Sequence, residues 1–196
     1  SGNLKKISTN VVLNLGQTGN GPLIEYATLR EYLPIKKTKR VLWIYYEGSD
    51  LMNLASELKN PILLKYLTDE NFSQNLISKQ EIINKKLFLE IDNKIKVEKE
   101  RLDNIKYYYF KRFIKLYSIR ELLLPTPTSN KFKNVIKKSK EFANNNNSKF
   151  YFVYLPDSRF LKNKNYRNSK NYEKVISIIN DLNIPIIDIN KELFKD

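Results

Sequence analysis

Short apolar runs alternate with amphipathic stretches along this chain. VVLNL (11–15), VLWIYY (41–46), FYFVYL (150–155) and IPIIDI (184–189) are rich in β-branched and aromatic residues and bounded by Gly, Pro, Asn or Asp, which predicts four buried strands. Between them the apolar period lengthens to three and four. Helices are expected over 22–33, where Gly21-Pro22 opens the helix and Pro34 stops it, and over 51–58, 61–67, 131–143 and 170–182. NKELFKD begins a final helical turn. From about 72 to 124 the pattern is helical throughout, with Leu87, Ile91, Ile95, Leu102, Ile105, Tyr109 and Phe113 on one face and Lys and Glu opposite.

Strands alternating with helices predict an α/β fold with a parallel sheet. In such a sheet the loops GQTGNG (16–21) and EGSD (47–50) both leave strand carboxyl ends, the edge where open α/β folds place ligands. Residues 70–124 read as a helical insertion between the second and third visible strands. The 196 residues fit one domain.

Composition narrows the chemistry. The chain has no Cys and no His, which removes disulfides, thiolates and the usual general base. No run of eighteen apolar residues suggests a membrane span. The charge of +14 invites a nucleic-acid reading. Against it, lysine is spread along amphipathic helices beside abundant Asn and Ile (NNNN at 144–147), the pattern of compositional bias, and nucleic acid is not the expected partner.

NLGQTGNGPL and YYEGSDL resemble the second and third sequence blocks of the SGNH/GDSL hydrolase superfamily, and are similar to a bacterial subgroup whose blocks read NLGxxGNGPL and YYEGNDL. The similarity runs on through ASELKNPILLKYL, YLPDSRF and IPIIDI. The resemblance implies a three-layer α/β/α, flavodoxin-like fold and hydrolysis or acyl transfer on an ester of an acylated carbohydrate or lipid-like substrate, without cofactor or metal. In that superfamily a serine attacks the carbonyl, a histidine acts as base, and a serine N–H, a glycine N–H and an asparagine amide bind the oxyanion. Motif for motif, Gly19 is the glycine donor, and Ser49 stands where the family has asparagine. A hydroxyl is a shorter donor than an amide, and losing one oxyanion donor costs about 3 kcal/mol of transition-state stabilisation.

The serine and histidine blocks have no counterpart in this sequence, so the chain is expected to be incomplete at both ends and inactive by itself. A trimmed or divergent domain is another account of their absence, and a non-catalytic interaction domain on the same fold is the alternative function. The superfamily's strand order also puts the serine strand between 11–15 and 41–46.

Other residues have a chemical reading and a bland one. Ser158 lacks a base and reads as a turn serine; Arg159 is a candidate for an acidic ligand or a solvated loop residue. Glu47 and Asp50 form a carboxylate pair suited to acid/base or metal work, or to loop support, with Asp50 capping the helix that follows. Asn14 and Asn20 read as loop-shaping hydrogen bonders, and Asp188 as a strand-terminal turn residue. Tyr107, Tyr108, Tyr109 and Phe110 suit core packing or a pocket rim.

Overall fold

The computed structural model describes residues 11–103, 129–157 and 170–193. Ser158, Arg159 and the 107–110 aromatic run lie outside them. In chain order the elements are α1 (Pro22–Lys36), β1 (Arg40–Tyr46), α2 (Asp50–Glu57), α3 (Pro61–Thr68), α4 (Gln80–Asp103), α5 (Ser129–Asn145), β2 (Lys149–Leu155), α6 (Lys170–Asp181), β3 (Ile186–Asp188) and α7 (Ile189–Leu193). The architecture is α/β, with helices layered on a parallel sheet of order β1-β2-β3. Trp43 lies opposite Phe152 and Tyr45 opposite Tyr154. No helix of the described residues is long and apolar enough to cross a membrane.

The strands alternate between two environments because successive side chains point to opposite faces. Trp43, Tyr45, Phe150, Phe152 and Tyr154 are buried on one face. There Tyr45 meets Phe132 of α5 edge-on at 5.5 Å, and Tyr154 meets Tyr172 of α6 at 5.0 Å. Leu42, Ile44 and Ile187 point to the other face and are 44%, 52% and 42% exposed. The unbroken apolar runs are therefore used fully on one side only by the described residues.

Several expected elements take other bounds. Val11–Leu15 forms no strand: Val11 is fully exposed, and among the described residues no ladder partner supplies the hydrogen bonds an extended segment needs. Pro34 does not end α1, which runs two residues further to Lys36, with Lys37 as the C-cap in the left-handed region (φ 42°). A proline so close to the end forfeits one bond without breaking the helix. The fourth expected strand, 184–189, shortens to Ile186–Asp188, since the Ile184 N–H is taken by Ile179 at the end of α6 and Asp188 accepts from Lys191 at the start of α7.

Residues 72–79 are not helical, although the apolar spacing continues through them. Glu31 on α1 accepts the N–H groups of Gln74 (2.7 Å) and Leu76 (2.9 Å) and the hydroxyls of Tyr66 (2.6 Å) and Ser73 (2.9 Å), so a side chain takes backbone donors that a helix would use. Burial favours the neutral form of Glu31, but these hydrogen bonds outweigh it and hold its pKa below the usual value. Beside it, the Arg30 guanidinium donates to the carbonyls of Tyr66 (2.6 Å), Asp69 (3.0 Å), Glu70 (2.6 Å) and Phe72 (2.9 Å). It thereby satisfies carbonyls left over at the end of α3. Arg30→Lys replaces a planar fork by a point donor and is expected to cost about 2 kcal/mol in urea denaturation. An unchanged midpoint would show that this clasp is not stabilising.

Candidate functional site

The geometry of the carboxyl edge follows from element lengths. α1 has 15 residues and β1 seven. At 1.5 Å and 3.3 Å per residue both measure roughly 23 Å. Since α1 delivers the chain to the start of β1, its own start lies level with the end of β1. The register brings Tyr46 opposite Leu155 and Asp188 opposite Tyr154, so all three strands end on this rim.

One corner is the loop before α1. Asn14 Oδ1 accepts the Gly16 N–H at 3.1 Å, and the Asn20 N–H donates to the Gln17 carbonyl at 3.2 Å. Gly19 sits at φ 89°, a conformation that glycine adopts without strain, and a Cβ placed there would meet nothing within 4 Å. The position is demanding in backbone shape and open in space. Asn20 contributes its carbonyl, which accepts from Asn53 Nδ2 on α2 at 3.3 Å.

The start of α1 creates a demand that its own residues cannot meet. Gly21 is the N-cap and has no side chain to accept a bond, and Pro22 has no N–H. Glu57, on the last turn of α2, fills the role: its two oxygens accept from Gly21 N–H at 2.6 Å and Leu23 N–H at 2.9 Å. A carboxylate at a helix start is favoured by the helix dipole as well as by these bonds. A Cβ on Gly21 would lie 2.6 Å from Asn53 Cβ and 2.9 Å from Glu57, so glycine is what allows the loop and α2 to touch.

The second corner follows β1. The Glu47 N–H donates to the Leu155 carbonyl at 3.0 Å, while Glu47 Oε2 accepts from the Asp157 N–H at 3.4 Å across to the β2 end. Ser49 is the N-cap of α2 but makes no capping bond with its side chain. Asp50, expected to cap this helix, instead turns back and accepts the Tyr46 N–H at 2.7 Å, bracing the end of β1. Glu47 and Asp50 thus support two different backbone groups. Gly48 leaves room for Asp157 Oδ2 and the Tyr46 ring, each 2.7 Å from where its Cβ would be. Asp157 is fully buried and accepts from the Tyr46 hydroxyl at 3.3 Å. At the β3 end, Asp188 accepts from the Tyr172 hydroxyl at 2.5 Å. A recess of about 330 Å³ lined by Ile176, Asn180, Ile186, Asp188, Lys191 and Glu192 opens there, at the opposite edge of the sheet from β1.

The α1–α2 corner concentrates carboxyl groups. Burial pushes Glu25 from 4.5 up to about 9, and Asp50 and Glu57 push it further in the same direction. Burial also lifts Asp50 to about 7, against the Tyr46 N–H bond that favours its charged form. Glu57 is raised by burial, partly offset by the N–H bonds of Gly21, Leu23 and Ile24. Burial, then Asp50 and Glu47, raise the Tyr45 hydroxyl, which is buried without a hydrogen bond. Among the described residues no group of three or more Asp or Glu is placed to hold a metal ion.

Gly19, Asn20, Ser49 and Asp50 therefore lie at one corner joined through α2, and Glu47 bridges to Asp157. Asn53, Glu57 and Glu25 were not marked by motif. Their signal was present, however, since Glu57 falls inside the apolar stripe of LMNLASEL and Glu25 inside PLIEYATL, where a carboxylate must find a buried partner. The chain matches no protein-family model, no curated protein and no solved structure.

Two measurements check this corner. Gly21→Ala should cost about 1–3 kcal/mol by overpacking. Gly19→Ala, with open space and only backbone strain, should cost about 1 kcal/mol; equal losses would contradict the close contact at Gly21. The pH dependence has a definite sign, because Glu25 and Asp50 bind protons more tightly folded than unfolded. Their contribution is complete below their unfolded values near pH 4 and is lost as pH rises through about 7 for Asp50 and about 9 for Glu25. Thermal melts should show the Glu25→Gln variant losing less stability than wild type between pH 7 and 9.5, and parallel curves would refute the buried cluster.

Proposed function

We propose that this chain supplies the oxyanion-binding side of an SGNH/GDSL-type acyl-transfer site, acting on an ester of an acylated carbohydrate or lipid-like substrate. One observation carries the reading. The two positions matched to oxyanion motifs, Gly19 and Ser49, belong to segments that α2 fastens together at the carboxyl rim of a parallel sheet. When a nucleophile adds to an ester carbonyl, negative charge develops on oxygen, and donors already held in place stabilise it without reorganising. The Gly19 N–H and the Ser49 hydroxyl are the donors in this reading; the hydroxyl also interacts with the Asp50 carboxyl and would turn from it to the oxyanion. The left-handed backbone at Gly19 and the space beside it suit close approach of a carbonyl. Asp50, with a pKa near 7, is partly neutral at physiological pH and opposes the developing charge less than a full carboxylate would.

Nucleophile and base are not represented by any matching block in this sequence, so the chain alone is expected to hydrolyse p-nitrophenyl acetate only at background rate. Robust turnover abolished by Ser158→Ala would replace this mechanism with a different one. The direct test is binding of an anion that mimics the tetrahedral intermediate. Titration with methylphosphonate, followed by amide shifts, should move Gly19 and Ser49 together with one saturating curve that survives physiological salt. Shifts scattered over the lysine-rich helices and erased by salt would reflect generic attraction to a +14 chain and would remove the oxyanion reading. A non-catalytic interaction domain is the second reading, favoured by the exposed Leu42, Ile44 and Ile187 on one sheet face.

A further inference from the structure

We propose that the joint between α1 and α2 is a proton-operated latch: with a proton held among Glu25, Asp50 and Glu57 the Gly16–Gly21 loop stays fastened to α2, and with all three ionised it is released. The idea does not depend on the proposed acyl chemistry. It stands first on how the parts touch. Both Glu57 oxygens are committed to the Gly21 and Leu23 N–H groups, and Gly21 packs against Asn53 and Glu57 with no room for one added carbon. Any displacement of α2 is therefore passed directly to the loop.

The second support is the make-up of the cluster. Asp50 and Glu57 are only 4% and 6% exposed, and Glu25 Oε2 is buried without a hydrogen-bond partner. The joint itself holds groups of the same sign or uncharged ones: Glu25 from α1, Asp50 and Glu57 from α2, Glu47 from the turn, and the Tyr45 hydroxyl from β1. The other helices packed on α1 bring cations: Lys131, Lys133, Lys137, Lys138 and Lys140 beside Glu141 on α5, and Lys65 on α3. Lys133 pairs with Asp181, Lys137 with Glu141, Lys140 binds the Leu182 carbonyl and Lys65 lies over the Phe72 ring. The charges that act on Glu25 are Asp50 and Glu57, both negative, and Arg30 on the same helix is committed to carbonyls of residues 66–72. A single carboxylate at a helix start is stabilising, but a second and third in the same buried space repel it. Asp50 loses its proton near pH 7 and Glu25 near pH 9, so the charge builds up across the neutral-to-alkaline range. The least costly relief is outward movement of the loop, because Asp50 is also tied to β1 through Tyr46.

The test uses the whole chain, labelled for NMR and taken from pH 5 to 9.5. Carboxyl carbons of Glu25, Asp50 and Glu57 are followed alongside hydrogen exchange at Gly21 and Leu23, with the intrinsic rise of exchange with pH divided out. The latch predicts that protection at these two amides falls about tenfold or more, one pKa unit of coupling, with the midpoint at which Asp50 or Glu25 titrates. Core amides such as Phe152 should stay protected. Glu25→Gln should reduce or shift the transition, whereas Glu31→Gln, on the same helix but facing residues 66–76, should leave it in place. Should Glu25→Gln not fold, Asp50→Asn serves in its stead. Protection that stays constant to pH 9.5, that is lost together with the core, or that responds identically in wild type and the cluster variants would overturn the latch.

Discussion

The carboxylate of Glu57 on the Gly21 and Leu23 N–H groups is the contact on which the carboxyl-edge corner depends. A helix that begins Gly-Pro has a good backbone start and nothing local to satisfy its free N–H groups. Supplying the acceptor from α2 solves that problem and, by the same bonds, fixes the loop before α1 against the helix after β1. Asn53 adds a second tie one turn earlier, to the Asn20 carbonyl. Two loops far apart in sequence become one corner because a cap was outsourced. Further along α1 the same logic recurs, with Arg30 and Glu31 meeting backbone demands of residues 66–76.

These contacts have an electrostatic cost that shapes the corner. Glu57 needs charge to serve the helix start, yet Glu25 and Asp50 share its surroundings. Protons held by Glu25 and Asp50 lower the repulsion at neutral pH. Although the chain carries +14, this corner is acidic, and its lysines are spread elsewhere along the helices. Under the proposed acyl chemistry, the protonation of Asp50 also governs how readily negative charge forms near Ser49.

Much of this was legible from residue order, and what was not has identifiable physical causes. The alternation of apolar runs with amphipathic stretches gave the parallel α/β scheme and the strands at 41–46 and 150–155 almost to the residue, because both are encoded locally. Val11–Leu15 has the composition of a strand, but a strand also needs a neighbour, and the described residues provide none. The 72–79 segment has helical spacing but is claimed by Glu31 from some forty residues away. At the site, Gly19 and Ser49 were visible through motif and turn chemistry. Asp50 was expected to serve its own helix and serves β1 instead, since Tyr46 presents an N–H that no strand among the described residues pairs. Glu57 carries no motif because its value lies in a partner thirty-four residues earlier, and its one local sign is an acid inside an apolar stripe.

Glu57 caps α1 across the gap between the two loops. A hydrogen-bond scalar coupling between the Gly21 amide nitrogen and the Glu57 side-chain carboxyl carbon, measured near pH 6, tests it without mutation. That coupling should be detectable, with a Gly21 amide slow to exchange. A Gly21 amide that exchanges freely with water and shows no coupling to Glu57 would contradict it.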